Sequence, residues 1–200
     1  MNLPNKLTLG RIILVPFFVA APLIPFPFHN IIALLLFIAA SITDMLDGKI
    51  ARKMNLITDF GKFADPLADK ILVLSALLCF IQLGWCDCVA VIIVLFREFA
   101  VTSIRLIASA KGEVIAANMW GKVKTVTQMI AIIAILVFRA AYDITLMLLP
   151  SSIAQSADFT AAANGWLFLG GEALIWISTV FAIISGVIYL AQNRHFISEK

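Results

Sequence analysis

The sequence predicts an all-helical integral membrane protein with six transmembrane helices and both termini in the cytoplasm. Hydrophobic residues make up 62% of the 200-residue chain and charged residues only 14%, whereas soluble domains typically carry about 25% charged residues. The mean hydropathy of +1.02 indicates more apolar surface than a water-facing domain of this size can bury. The net charge of +3 is modest and does not indicate nucleic-acid binding.

Six apolar runs define the predicted helices, and each is close to the about 20 residues needed to cross about 30 Å of hydrocarbon. The predicted spans cover residues 8–28, 30–46, 66–84, 88–109, 124–149 and 166–190. The second span is short and continues into an acidic stretch, so its last turns should project beyond the hydrocarbon. Because the sequence shows no internal repeat, low-complexity tract or soluble domain, residues 1–200 are expected to form a single domain.

The basic residues predict the orientation. Of the 15 Lys and Arg residues, all except Arg97 and Arg139 cluster near the two termini and in the second-to-third and fourth-to-fifth connections. The alternate connections, around residues 82–88 and 140–165, contain none. Because Lys and Arg concentrate in cytoplasmic loops, the termini and the acidic stretch should face the cytoplasm. Arg139, toward the opposite side, is expected to be structural.

Four aspartates near the second and third spans are spaced so that helices would gather them into two pairs. Asp44 and Asp47 are three residues apart, and Asp65 and Asp69 are four apart, so each pair would lie on one helical face. Four like charges at a membrane surface repel one another unless cations neutralise them. Carboxylates suit Mg²⁺ or Mn²⁺, and two such ions form a recurrent device for displacement at phosphorus.

Small and basic residues stand between these aspartates. Gly48 and Ala51 leave a bare helix surface, on which a flat ring or a phosphate can approach the backbone. Arg52 supplies a guanidinium that could hold a phosphate. Gly61 would let the two helices approach closely.

Residues 44–69 as a whole read D-x2-D-G-x2-A-R-x8-G-x3-D-x3-D, which resembles the signature of the CDP-alcohol phosphatidyltransferases. These membrane enzymes transfer a phosphatidyl group from CDP-diacylglycerol to an alcohol and release CMP. The resemblance implies the CDP-alcohol phosphotransferase fold, a homodimer and two Mg²⁺ or Mn²⁺ ions. The implied metal ligands are Asp44, Asp47, Asp65 and Asp69. Asp69 would also act as the general base toward the acceptor hydroxyl. The implied cytidine diphosphate site consists of Asp47, Gly48, Ala51, Arg52 and Gly61.

Three further stretches, "PNKLTLGR", "REFAVTSIR" and "GKVKTVTQ", resemble the phosphatidylglycerophosphate synthase branch of this family. That branch uses glycerol 3-phosphate as the acceptor, in the bacterial cytoplasmic membrane. In the first stretch, Asn5, Thr8 and Arg11 are candidate contacts to the nucleotide or diphosphate of CDP-diacylglycerol.

The basic residues of the other two stretches predict a site for the acceptor phosphate. Arg97 and Arg105 are eight residues apart, which is about 80° around a helix. With Lys122 at the start of the next span, they could converge on one dianionic phosphate, which glycerol 3-phosphate carries and serine lacks. An arginine within a span is costly and is functional by default. Three neighbours could orient these groups, namely Glu98, Lys124 and Gln128.

Two alternatives stay open at this point. Within the family, the acceptor could be serine, an inositol phosphate or phosphatidylglycerol, and an inositol phosphate would use the same basic cluster. Outside the family, a small cation transporter would place carboxylates near mid-span and often shows an inverted repeat. The carboxylates here gather at one membrane face instead. Direct in-line displacement is favoured, because the motif offers no Cys, His or Ser as a covalent nucleophile, and an aspartyl-phosphate intermediate is the alternative route that the sequence leaves open.

Overall fold

Helices are the only regular secondary structure in the described part of the chain. A computed structural model describes the backbone of residues 3–54, 59–113, 115 and 118–194, and the side chains of these residues except 3–4, 45–54, 59–66 and 69. Within those ranges the structure contains helices and no strand. The helices are α1 (Leu3–Leu23), α2 (His29–Met54), α3 (Asp59–Gln82), α4 (Cys88–Ala110), α5 (Met119–Leu148), α6 (Ser151–Ala154) and α7 (Ala157–Gln192).

Each of the six long helices overlaps one predicted span, but several bounds differ. Helix α1 lies five residues before its predicted span at both ends, α2 ends eight residues later than predicted, and α3 and α5 begin seven and five residues earlier. The largest difference is at the start of the last helix. Helix α7 begins at Ala157 rather than at residue 166, so much of the predicted 140–165 connection is helical. The physical reason is a polar helix start. The hydroxyl of Ser156 caps α7 by accepting the backbone N–H of Phe159 (3.4 Å), and Asp158 lies in the first turn, where the helix dipole favours a negative charge.

Three helical segments within the described ranges are long and apolar enough to cross a membrane. These are Asn5–Leu23, Met119–Leu148 and Ala157–Gln192, with mean hydropathies of 1.6, 2.0 and 2.2. His29–Asp44 and Lys70–Gln82 are shorter apolar stretches. Helix α4 has a comparable length but carries Arg97, Glu98 and Arg105. The chain is a helical membrane protein, and both the count of six spans and the orientation of the termini stay predictions.

The sharp turn between α3 and α4 has the hydrogen bonds of a Schellman motif. Gly84 has φ 66°, which is the left-handed conformation that favours glycine. Its N–H donates to the carbonyl of Ile81 (3.0 Å), and the N–H of Trp85 donates to that of Phe80 (2.8 Å). The Phe80 and Trp85 rings also pack together, with centroids 5.4 Å apart. This turn ends α3 and returns the chain to begin α4.

Close packing of small side chains brings the helices together. Helix α1 packs against α2 and α3, α5 packs against α2 and α7, and α4 packs against α7. Fully buried alanines allow such close approach of helices in a membrane; they include Ala33, Ala40, Ala76, Ala90 and Ala182. A second apolar cluster joins the last turns of α4 to α7 and contains Val101, Ile104, Ala108 and Tyr189. This α4–α7 contact positions the basic residues described below.

Arg139 makes structural contacts, as expected for its place away from the basic clusters. Its Nη1 donates to Oδ1 of Asn164 (3.0 Å), and its guanidinium lies over the Trp85 ring, 4.7 Å from the centroid. It therefore links α5 to α7 and to the α3–α4 turn.

Candidate active site

The carboxylate of Glu98 binds basic side chains from three helices. Its Oε1 accepts hydrogen bonds from Nη1 of Arg97 (2.8 Å) and from Nζ of Lys124 (2.5 Å). Its Oε2 accepts one from Nζ of Lys70 (3.3 Å). Lys124 is buried, and a buried ammonium requires a charged partner of this kind. Glu98 therefore connects α3, α4 and α5 at one point.

A cleft of about 350 Å³, partly open to solvent, lies beside this carboxylate between the same three helices. Its lining residues are Lys70, Val73, Leu74, Glu98, Lys124, Thr125 and Gln128. Nζ of Lys70 also donates to Oγ1 of Thr102 (2.6 Å), which fixes its position on the cleft wall. Lys70 directly follows Asp69 along α3, so the cleft adjoins the helical turn that carries the predicted base.

Arg97 is held from two sides. While Nη1 binds Glu98, Nη2 donates to Oγ of Ser185 on α7 (2.5 Å). The aliphatic part of the side chain crosses Gly186, where an added Cβ would lie 3.0 Å from Cγ of Arg97. The absence of a side chain at Gly186 is therefore what lets the arginine reach Ser185.

Arg105 contacts the same face of α7 one helical turn further on. Its Nε donates to the hydroxyl of Tyr189 (3.2 Å), and its guanidinium lies 5.5 Å from the centroid of that ring. The ring provides a cation–π contact in addition to the hydrogen bond.

The two arginines bind the same face of α7, and their convergence on one phosphate stays a prediction. Their Cα atoms are separated by eight residues of α4, or about 12 Å of helix, but their partners on α7, Ser185 and Tyr189, are only four residues apart. Lys122 is exposed near the start of α5. It follows Gly121, at which an added Cβ would lie 3.8 Å from Nη2 of Arg97. The structure thus brings Arg97 and Arg105 to one face of α7, with the chain segment that carries Lys122 next to Arg97.

The three candidate residues of the N-terminal stretch lie together on α1. Asn5, Thr8 and Arg11 recur every third residue and are all buried. Nη1 of Arg11 forms an ion pair with Oδ1 of Asp44 (2.5 Å), whose side chain is 42% exposed. Arg11 therefore reaches the first residue of the aspartate motif, and contact of the three residues with a nucleotide stays a prediction.

The aspartate motif lies on α2 and α3. Helix α2 contains Asp44 and Asp47, and α3 contains Asp65 and Asp69, so each pair is one helical turn apart. The other motif side chains fall outside the described residues: Asp47, Gly48, Ala51, Arg52, Gly61, Asp65 and Asp69. Among the side chains that are described, no three metal-binding groups come together. The partly exposed carboxylate of Asp44 and the helical spacing fit the hard oxygen donors that Mg²⁺ or Mn²⁺ prefers.

Sequence reasoning missed several residues of this cluster. Lys70 belongs to the basic residues of the second-to-third connection, and its place directly after Asp69 is a usable signal in the sequence. Ser185 and Tyr189 are polar groups at helical spacing in an apolar run, but that spacing alone does not identify a partner. The sequence also suggests that Glu98 and Lys124 could orient the arginines. In the structure, Glu98 accepts hydrogen bonds from both Arg97 and Lys124.

Comparison with known proteins gives consistent matches over the chain. The sequence profile of the CDP-alcohol phosphatidyltransferase family matches residues 1–184. A Bacillus subtilis protein named CDP-diacylglycerol–glycerol-3-phosphate 3-phosphatidyltransferase is 39% identical, over 96% of this chain and 95% of the relative. A protein of the same name from Rickettsia bellii is 33% identical, over 98% of this chain and 97% of the relative. A Haemophilus influenzae protein of the same name is 40% identical, over 66% of this chain and 73% of the relative.

Proposed function

Because this chain belongs to the CDP-alcohol phosphatidyltransferase family, we propose that it transfers the phosphatidyl group of CDP-diacylglycerol to glycerol 3-phosphate. The products are phosphatidylglycerophosphate and CMP. Relatives named for this reaction align over nearly their whole length. The structural observation that carries the choice of acceptor is the pair Arg97 and Arg105, held on one face of α7. Two fixed guanidinium groups suit a phosphate dianion.

The chemistry follows from binding the acceptor by its phosphate. Arg97, Arg105 and Lys122 bind that group, which leaves the primary hydroxyl of glycerol 3-phosphate as the nucleophile. Asp69 takes the hydroxyl proton, and the oxygen bonds to the phosphorus that carries diacylglycerol. The bond from that phosphorus to the CMP oxygen breaks in the same in-line displacement.

The nucleotide is assigned to the other side of this centre. Cytidine diphosphate contacts are proposed for the motif residues Asp47, Gly48, Ala51, Arg52 and Gly61. The buried residues Asn5, Thr8 and Arg11 support this part of the site from α1, and the Arg11–Asp44 ion pair is the contact that favours such a role.

The family is generally dependent on divalent cations. The proposed ligands of two Mg²⁺ or Mn²⁺ ions are Asp44, Asp47, Asp65 and Asp69. When bound, such ions supply positive charge that offsets the charge of the phosphoryl oxygens. The spacing of the four aspartates along α2 and α3 supports this assignment.

The location of the reaction follows from the substrate. CDP-diacylglycerol keeps its acyl chains in lipid, and we place the site at the cytoplasmic face of a bacterial cytoplasmic membrane, where the Lys and Arg residues gather. We also propose that the chain forms a single domain and that the protein is a homodimer. Membership of the family supports both parts of the proposal.

The test is CMP release by the purified protein in detergent with CDP-diacylglycerol and Mg²⁺. Glycerol 3-phosphate is compared with serine, inositol phosphate and phosphatidylglycerol as acceptors. We expect turnover with glycerol 3-phosphate alone, abolished by a chelator, restored by Mg²⁺ or Mn²⁺, and lost in Asp69→Asn. Turnover with another acceptor would contradict the assignment of the phosphate site, and no turnover in folded protein would contradict the activity itself.

A further inference from the structure

We infer that Glu98 is a positioning residue for the acceptor: it sets the orientation of Arg97 and thereby the affinity for glycerol 3-phosphate. The inference rests on the proposed function, because Arg97 is a phosphate ligand only in that reaction. In this role Glu98 contacts neither substrate and acts only through the side chain of Arg97.

The first argument is the conformation of Arg97. Consecutive residues of a helix point about 100° apart, yet Nη1 of Arg97 turns back to its neighbour Glu98 (2.8 Å). Nη2 is bound on the opposite side by Ser185 (2.5 Å). A long side chain that would otherwise sample many rotamers is therefore fixed at both ends of its guanidinium, which lowers the entropy lost when a phosphate binds.

The second argument is charge. Three cationic groups, on Lys70, Arg97 and Lys124, surround one carboxylate. Without Glu98 these groups would repel one another in an apolar environment, where charge interactions are strong. Lys124 is 4% exposed and has little freedom to retreat, so Lys70 and Arg97, whose side chains are 28% and 12% exposed, would be the groups that move. One carboxylate thus holds three cationic groups in place. The cluster keeps a net positive charge, which favours binding of an anionic acceptor.

The third argument is the connection to α3. Oε2 of Glu98 binds Lys70, the residue after the proposed base, while Oε1 binds Arg97 and Lys124. The same side chain therefore links the helix that carries the base to the helix that carries the phosphate ligand. The three-carbon chain of glycerol 3-phosphate limits how far the hydroxyl can lie from the phosphate, so such a link keeps the phosphate ligand and the base within that reach.

The experiment measures KM for each substrate, kcat and thermal unfolding for the detergent-purified protein and four variants. Glu98→Gln keeps the size of the side chain and removes its charge, and Glu98→Asp keeps the charge on a shorter side chain. Lys124→Met removes one cation and leaves the contact between Arg97 and Glu98. Glu172→Gln is the matched control, because Glu172 accepts hydrogen bonds from the backbone of Asp87 (2.7 Å) and the indole of Trp176 (2.6 Å), outside the cluster.

We expect Glu98→Gln to raise KM for glycerol 3-phosphate about tenfold or more, as the loss of a charge-assisted hydrogen bond predicts. KM for CDP-diacylglycerol should change less than about twofold. For Glu98→Asp, KM for glycerol 3-phosphate should lie between the values for the parent and Glu98→Gln. Lys124→Met should leave this KM within about threefold of the parent. Glu172→Gln should have the same KM as the parent.

A double variant separates positioning from charge neutralisation. Glu98→Gln alone leaves the buried ammonium of Lys124 without its charged partner and should lower the unfolding temperature. In Glu98→Gln with Lys124→Met that ammonium is gone, so the unfolding temperature should return toward that of the parent while KM for glycerol 3-phosphate stays high. If KM recovers as well, Glu98 serves only to neutralise Lys124 and the inference is wrong. An unchanged KM in Glu98→Gln would also overturn it. A parent protein that is inactive with glycerol 3-phosphate would instead overturn the proposed function, so the two failures are distinguishable.

Discussion

Arg97 shows how individual contacts allow a charged residue within an otherwise apolar helix. Its two terminal nitrogens bind Glu98 and Ser185, and its aliphatic carbons pack over Gly186. Burying a charge is tolerated when it is both paired and hydrogen-bonded. These contacts hold the guanidinium at the α4–α7 contact, so the neighbours of Arg97 are as important to the site as the arginine.

The absence of a side chain at Gly186 leads to the first prediction. Gly186→Ala places a methyl group 3.0 Å from Cγ of Arg97, so the arginine must move away from Ser185. We expect kcat/KM for glycerol 3-phosphate to fall about 10- to 100-fold, because a small displacement of a substrate-binding group lowers the rate by up to about this factor. The unfolding temperature should stay close to that of the parent, because the gain of about 1 kcal/mol from alanine in a helix offsets the loss of about 1 kcal/mol from the hydrogen bond between Arg97 and Ser185.

The control for this substitution is Gly170→Ala on the same helix. A Cβ at Gly170 would meet no atom within 4 Å, so kinetics should be those of the parent. Equal loss of activity in both variants would mean that α7 tolerates no added methyl group, and would argue against a specific effect on Arg97.

The hydroxyl of Tyr189 leads to a second, milder prediction. Tyr189→Phe removes the acceptor of the hydrogen bond from Arg105 (3.2 Å) and keeps the ring under the guanidinium. The loss of one hydrogen bond, about 1 kcal/mol, should raise KM for glycerol 3-phosphate about fivefold and leave kcat nearly unchanged. Steady-state kinetics of CMP release measure this change. The matched control is Tyr142→Phe, because Tyr142 is the other tyrosine of the chain, and a similar effect there would contradict a role specific to Tyr189.

At the scale of helices, the sequence predicts those boundaries that local signals determine. Helix α4 spans Cys88–Ala110, against a prediction of 88–109, because Asp87 caps one end and a turn at Gly112 (φ 79°) follows the other. The start of α7 was misplaced by nine residues, because hydropathy does not detect a polar, capped helix start. Cap residues would have identified it, since Ser156 followed by Asp158 is a common start signal.

The aspartate motif and the arginine cluster differ in how far sequence can predict them. The motif is local, because helical spacing alone pairs Asp44 with Asp47 and Asp65 with Asp69. The arginine cluster depends on α4 packing against α7, two helices that are far apart in the chain. Helix periodicity defines a face but does not identify the helix that covers it, and this is why Ser185 and Tyr189 were missed.

Packing between helices gives a third prediction, which contrasts with Gly186. A Cβ at Gly171 would lie 3.0 Å from the backbone carbonyl of Trp85, and a backbone atom at a Schellman turn has little freedom to move. Gly171→Ala should therefore lower the free energy of unfolding by about 1–3 kcal/mol, the usual cost of overpacking. KM for glycerol 3-phosphate should not change, because the contact is remote from Arg97.

The measurements are thermal unfolding in detergent and the kinetics of CMP release. Lower stability with a normal KM in Gly171→Ala, beside a normal stability with impaired kinetics in Gly186→Ala, would separate packing from positioning on one helix. The reverse pattern would contradict both assignments.

At the scale of the whole molecule, the outer surface is suited to lipid. Large apolar side chains are more than half exposed on several helices, for example Phe96 at 73%, Leu148 at 81% and Trp166 at 76%. In water such a surface would favour aggregation, whereas in hydrocarbon it has no such cost. The charged groups of the described chain are concentrated where helices meet or end, and the proposed orientation depends on which of those ends faces the cytoplasm.

The cysteines allow that orientation to be tested. Cys88 is exposed at the start of α4, on the side without Lys or Arg, while Cys79 and Cys86 are buried. Burial, together with the negative charge of Glu172, raises the pKa of the Cys86 thiol to about 12. Because the thiolate is the nucleophile, Cys86 should not react with a maleimide at about pH 8. A membrane-impermeant maleimide added to cells without an outer barrier should therefore label Cys88, and Cys88→Ser should abolish the labelling.

A cysteine at the other end of α4 provides the opposite case. Glu113 is exposed in the turn that follows α4, and the 23 residues of α4 separate it from the Cys88 end by about 35 Å of helix. Glu113→Cys in the Cys88→Ser background should be labelled only after the membrane is permeabilised. Arg105 lies near this end of α4, and the turn of α3 that carries Asp69 is next to Lys70, which lines the same cleft as Glu98. Labelling of residue 113 from outside would therefore place the proposed site outside the cell. That result would contradict a cytoplasmic reaction even if the purified protein released CMP.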